Sequence, residues 1–198
     1  MDQAFDSLRR QEKIGRAMAV RRKLIREMVE ALLAKHRISH GAVPVEKIVE
    51  SYGIKLSLDE VDDELSGFLV REPGKNKRSV IGANKAHHPH RQRFTIAHEL
   101  GHFLLHKGEM VHLDQGRGAL AINLRNEQSS RGEDQDEREA NLFAAELLMP
   151  AIFLAKDLEG VSLDILGDSG VLDRLAKKYK VSTQALTFRL ANLGYIQL

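Results

Sequence analysis

Residues 91–106 read RQRFTIAHELGHFLLH, and the fold turns on whether this stretch is one helix. His98, His102 and His106 stand four residues apart, which is one helical turn plus about 40°, so in a helix all three project to nearly the same side. Glu99 directly follows the first histidine. Two histidines at i and i+4 offer two ring nitrogens from one rigid scaffold, and HELGH is the arrangement that zinc hydrolases use. Glu99 lies about 100° around the helix from His98, so it reaches a bound water rather than the ion. His106 is about 12 Å along the axis from His98, too far to join a cation whose bonds are about 2.0–2.1 Å. It is expected to line the cleft, as a transition-state residue, or to pack locally.

A catalytic zinc takes three protein ligands and keeps one position for water. The third ligand is expected from EREANLFAAELLMP, residues 137–150. Glu137, Ala140, Asn141 and Ala144 share one helical face. The small residues, like Ala97 and Gly101 on the first helix, permit close approach of two backbones. Glu137 then supplies carboxylate oxygen, and Asn141, one turn on, orients a ligand histidine. Glu139 points away, beside Phe143 and Glu146, and is the alternative ligand. Two histidines and one carboxylate also suit manganese or iron. Glu99 is expected to act as the general base that takes a proton from the attacking water and returns it to the leaving nitrogen.

RQRFTIAHELGHFLLH followed by EREANLFAAELLMP resembles the ImmA/IrrE family of zinc metallopeptidases. The second motif of that family has an acidic residue, two variable positions, Ala-Asn, Phe-Ala and a closing Leu-Leu-Met-Pro, which maps its ligand onto Glu137. The resemblance extends upstream through PVEKIVESYGI and SGFLV and downstream to LAKKYKVSTQALTFRLANLGYI, covering roughly residues 40–196. It implies a zincin-like core and a zinc-dependent endopeptidase. The implied protein substrate is a helix-turn-helix transcriptional repressor, whose cleavage relieves repression of stress, mobile-element or phage genes. The rival reading is a DNA- or partner-binding regulator, or a toxin–antitoxin component, with a mainly structural metal. Glu99 argues against it, because a structural zinc needs no base and fills its fourth position with protein.

The rest of the chain frames these motifs. It has 198 residues, 42% apolar and 29% charged, as in ordinary globular proteins. It contains no cysteine, which excludes disulfide frameworks, thiolate zinc sites and cysteine proteases. The opening MDQAFDSLRRQEK has no apolar core, and no apolar run approaches the roughly 20 residues of a membrane span, so a cytoplasmic protein is expected. Residues 5–37 read as an amphipathic helix carrying Ile14, Met18, Ile25, Met28 and Leu32 at near-helical spacing. Residues 1–37 hold ten Lys/Arg against five acids, on a chain whose formal net charge is only +2. A basic helix is a solvated face or a contact for nucleic acid or an acidic partner.

A short helix, PVEKIVESY, precedes three strand candidates: IKLSL (54–58), GFLVR (67–71) and SVIGA (79–83), the last two forming a hairpin. SVIGA is expected either to be the edge strand that pairs with extended substrate or to be plain sheet structure. His87, His88 and His90 sit in a polar loop broken by Pro89. Residues 108–133 read as a loop with one strand around GALAINL, and a helix follows at 134–148. The tail resembles a helix-turn-helix, with helices at about 170–179 and 183–192 and Ser182 as N-cap. Thr183, Gln184, Thr187 and Arg189 are its available base readers, so direct DNA binding is a secondary expectation. Candidates for an additional transition-state donor are His106, Arg91, Arg93 and Tyr179. The expected fold is α+β and mainly helical, with a small three-stranded sheet. Three segments are expected: the basic helix at 1–39, the metallopeptidase core at 40–160, and a helix-turn-helix-like tail at 161–198 that sits apart.

Overall fold

The computed structural model describes residues 20–62, 65–71, 79–106, 111–114, 133–160 and 169–197. Their elements, in chain order, are α1 (Arg22–Lys35), α2 (Val45–Ser51), β1 (Lys55–Asp59), β2 (Gly67–Val70), β3 (Val80–Asn84), α3 (Pro89–Leu105) and β4 (Val111–Asp114). Then come α4 (Glu133–Leu148), α5 (Ala151–Asp157), α6 (Ser169–Tyr179) and α7 (Thr183–Asn192). The class is α+β and mostly helical. No helix among the described residues is long and apolar enough to cross a membrane.

The sheet has four strands in the order β1-β3-β2-β4. β2 and β3 pair antiparallel, as a hairpin should, while β1 joins β3 in parallel. Two expectations need correction here. The sheet is not three-stranded, because VHLD (111–114) adds β4 antiparallel to β2. Nor is SVIGA an edge: β3 is hydrogen-bonded on both sides, so its backbone is not free to receive a peptide. Among the described residues the edges are β1 and β4. The strand expected around GALAINL lies outside the described residues, as do residues 5–19 of the helix expected at 5–37.

α3 crosses the sheet at β2 and β3 and packs along α4 on its other side. Both contacts are tight. A Cβ at Gly67 would collide with the Thr95 side chain and with the Gly82 carbonyl oxygen. A Cβ at Gly101 would lie 3.1 Å from both Ala140 Cα and Phe143 Cδ1. The first of these neighbours is backbone and cannot swing aside. Gly101→Val is therefore expected to force α3 and α4 apart and lower stability by about 1–3 kcal/mol, measured by denaturant unfolding.

α1 buries Ile25, Val29, Leu32 and Leu33, a stripe of helical period, and packs against α4. α5 begins directly after Pro150, which ends one helix and caps the next. The tail does not sit apart. Leu172, Leu175, Tyr179, Leu186 and Leu190 join the same hydrophobic core as α1 to α5. Tyr179 donates its hydroxyl to Asp157 Oδ2 (2.7 Å), and Arg189 donates from Nε to the Met149 carbonyl (3.1 Å). The Arg189 guanidinium also pairs with Glu146 at 2.6 Å, with both side chains almost fully buried. Arg189 is thus spent on holding α7 to the end of α4 and is not free to read a base. Ser182 does cap α7, accepting from the Ala185 amide at 3.1 Å.

Arg189→Ala leaves the buried Glu146 carboxylate with the Ala151 amide (3.1 Å) and the half-exposed Arg26 at 4.0 Å, and no close cation among the described residues. A loss of about 3 kcal/mol is expected in thermal or denaturant unfolding, because a charge is stranded in the core.

Candidate metal centre

α3 is built to hold its histidines still. Pro89 occupies the first turn, and the His88 side chain caps it by accepting from the His90 amide at 3.2 Å. Every residue from Thr95 to His102 is buried. At the far end, the Arg71 guanidinium donates to the carbonyls of His102 (2.7 Å) and His106 (3.3 Å), satisfying groups that a helix terminus leaves open.

His98 Nε2 and His102 Nε2 stand 3.0 Å apart. Glu137, from the start of α4, brings Oε2 to 3.4 Å of His98 Nε2 and Oε1 to 3.1 Å of His102 Nε2. Ligands at about 2.05 Å around a tetrahedral ion are separated by about 3.3 Å, which is this spacing. The three residues could therefore hold a metal ion. His98 Nδ1–H donates to Asn141 Oδ1 at 3.0 Å, which leaves the Nε2 lone pair facing the cluster. Two imidazole lone pairs and a carboxylate converging so closely require a proton or a cation between them.

Burial, the largest influence on His102, lowers it to about 4 despite its bond to Glu137. Burial would raise Glu137, but hydrogen bonds from His102, His112 and His98 hold it far below the usual carboxylate range. Glu99 is fully buried and its carboxyl is raised, chiefly by that burial, against the opposing bond from His112. Its Oε2 meets His112 Nδ1 at 3.2 Å. Its Oε1 is buried with no hydrogen-bond partner among the described residues. An orphaned carboxylate oxygen beside a set of metal ligands is where a reacting water would be met.

His112 escaped the sequence reading. It lies on β4 and bridges the site, with Nδ1 on Glu99 and Nε2 3.0 Å from Glu137 Oε1. Its ring stacks on that of His102 with centroids 3.9 Å apart. Burial opposes its charge, but the bonds to Glu137 and Glu99 push it up to about 10, so it donates from both nitrogens as an imidazolium. The only signal for it was one histidine in a four-residue strand.

The other expected residues lie elsewhere. His106 does not line the cleft: Nδ1 faces His102 Nδ1 at 3.2 Å and Nε2 faces Glu139 Oε2 at 3.3 Å, so neither nitrogen is left for substrate. Glu139, the alternative ligand, is fully buried and held by Arg21 through contacts of 2.5 to 3.0 Å. His106, Asp136 and Glu139 form a second group of ligand spacing, but the guanidinium already seated on Glu139 disfavours a cation there. Arg91 donates to Ser66 Oγ (2.8 Å), and Arg93 pairs with Glu46 (3.2 Å). Tyr179 donates to Asp157, so the contacts given for all three lie outside the cluster.

The family model for the IrrE N-terminal-like domain, a peptidase family, matches residues 49–191, a span that contains the whole of this cluster. This chain belongs to that family. The IrrE-like chain is 35% identical over 115 residues to the radiation response metalloprotease IrrE of Deinococcus radiodurans. That alignment covers 58% of this chain and 31% of the relative, so the chain spans about a third of the curated relative it matches. Its fold is similar to that of a Mycobacterium tuberculosis transcriptional regulator, with a TM-score of 0.54 at 15% identity, covering 84% of this chain and 46% of that one. At that identity the likeness concerns the fold alone. Arg21 lies ahead of the family match.

Proposed function

We propose that this IrrE-like chain is a zinc-dependent endopeptidase that cleaves a helix-turn-helix repressor, relieving repression of stress, mobile-element or phage genes. One observation carries the hydrolytic reading: the unpartnered Oε1 of buried Glu99, next to His98, His102 and Glu137. A metal kept only for structure has no use for a carboxylate held ready in this way. Membership of a peptidase family and the name of the radiation response relative support the same direction.

Zinc held by the two imidazoles and Glu137 would supply Lewis-acid polarisation of the scissile carbonyl and make water acidic enough to attack near neutral pH. The protein groups supply the rest. Glu99 takes the proton of the attacking water on Oε1 and returns it to the leaving nitrogen. His112, with one nitrogen on Glu99 Oε2 and the other on Glu137 Oε1, holds the two carboxylates in place and leaves Glu99 Oε1 to meet the water. Asn141 keeps His98 in the tautomer that presents Nε2. The role first assigned to SVIGA passes to β4, which carries His112 and is the sheet edge nearest the cluster. An extended substrate segment adds to β4 by main-chain hydrogen bonds, with the exposed Val111 and Leu113 flanking it.

The test is incubation of the zinc-loaded chain with a helix-turn-helix repressor encoded beside it. Cleavage at discrete bonds that a chelator stops is expected. An intact repressor in the presence of stoichiometrically zinc-loaded chain would contradict the proposal.

A further inference from the structure

The two histidines of the centre are backed in different ways. His98 has one partner, Asn141, on the neighbouring helix. Behind His102 a chain of contacts runs from Nδ1 to His106 Nδ1 (3.2 Å), then from His106 Nε2 to Glu139 Oε2 (3.3 Å). It ends on Arg21, which meets Glu139 through its backbone amide (2.9 Å), Nε (3.0 Å) and Nη2 (2.5 Å). Arg21 is the residue at the N-cap of α1. It is 118 positions from Glu139 and outside the family match at 49–191.

We infer that Arg21, Glu139 and His106 form a relay that fixes the ring orientation and tautomer of His102, making Arg21, at the start of α1, a working part of the metal centre. The inference rests on the metal-site reading above. Each step follows from donor and acceptor inventory. The Arg21 guanidinium donates to both oxygens of the buried Glu139, which accept. His106 must then carry its proton on Nε2, which leaves a lone pair on Nδ1. That lone pair accepts from His102 Nδ1–H, and His102 is left with a bare Nε2 facing His98 and Glu137. Without Glu139, only the more distant Asp136 Oδ1 (3.5 Å) faces His106 Nε2 among the described residues, so His106 can protonate Nδ1 instead, and His102 then carries its proton on the wrong nitrogen. Carboxylate partners behind ligand imidazoles act in this way. Here an extra imidazole lengthens the connection and passes it to Arg21.

Zinc affinity of the full chain, measured by competition with a chromogenic chelator, tests the relay. Arg21→Ala, Glu139→Gln and His106→Phe are each expected to weaken binding about ten- to a hundredfold. Arg21→Lys, which keeps the charge but loses the fork, is expected to recover part of the loss. Joining Arg21→Ala to His106→Phe should add nothing beyond the larger single effect, since both break one chain. Arg93→Ala removes an ion pair from the same helix outside the relay and should leave affinity unchanged. Histidine nitrogen NMR of the zinc-loaded chain adds a readout that loss of stability does not move: His102 protonated at Nδ1, with that proton exchanging faster in the relay variants. Arg21 is 42% exposed, so Arg21→Ala decides the matter even where His106→Phe fails to fold. Wild-type affinity and wild-type proton exchange in Arg21→Ala would overturn the relay and leave the ligand set standing. A wild-type chain that takes up no zinc, or takes it up equally well after His98→Ala, would overturn both.

Discussion

Glu99→Gln is expected to lower peptide hydrolysis by about 10²–10⁴-fold while zinc content stays that of the wild type. Glutamine fills the same volume in a fully buried position and still accepts a hydrogen bond from His112 through its amide oxygen. What it lacks is a basic oxygen to take the proton of water. The loss should fall on kcat, because the group acts on the reacting water and not on binding. Fold is the other half of the expectation: removing a buried charge costs nothing in packing, so thermal unfolding should be at or above the wild-type temperature. Hydrolysis by Glu99→Gln at the wild-type rate would remove Glu99 from its role. Loss of zinc along with activity would show that it binds metal instead of serving as base.

His102→Ala is expected to abolish both metal binding and hydrolysis. The ring is buried, and its Nε2 stands within 3.1 Å of both His98 Nε2 and a Glu137 oxygen. Two ligands cannot complete a tetrahedral site at neutral pH. The effect is readable without a substrate. A metal at about a thousand times its dissociation constant stabilises the folded chain by about 4 kcal/mol. In a chain of this length each kcal/mol moves the unfolding temperature by roughly 2–4 °C. A chelator should therefore lower Tm in the wild type and in Glu99→Gln, and leave His102→Ala unmoved. A chelator-sensitive shift that survives in His102→Ala would place the ion elsewhere.

What could be read in the sequence follows from the range of each interaction. HELGH is local: helical spacing alone brings His98 and His102 to one side, and their nitrogens meet at 3.0 Å. Glu137 lies 35 residues further on, yet its helix gave itself away through Ala140 and Ala144, matched by Gly101 where the backbones touch. β4 offered no such signal. Its four residues alternate, but the run is too short to stand out in a polar stretch, and its apolar members Val111 and Leu113 are the exposed ones, so both the fourth strand and His112 were missed. Ion pairs between distant charges are also invisible. Arg21 read as one of ten basic residues on a solvated helix, and Glu139 as a spare carboxylate, because nothing local joins positions 118 apart. Arg189 misled for a related reason. A charged residue between Leu186 and Leu190 suggests a surface, and only the carboxylate of Glu146 makes its burial tolerable.

Zinc-edge anomalous diffraction from crystals of the zinc-loaded chain locates the ion without reference to activity. One strong peak is expected within about 2.0–2.2 Å of His98 Nε2, His102 Nε2 and a Glu137 oxygen, with Glu99 beyond bonding distance. A peak seated instead among His106, Asp136 and Glu139, or no peak between the two α3 histidines, would contradict the assignment on which the hydrolytic reading stands.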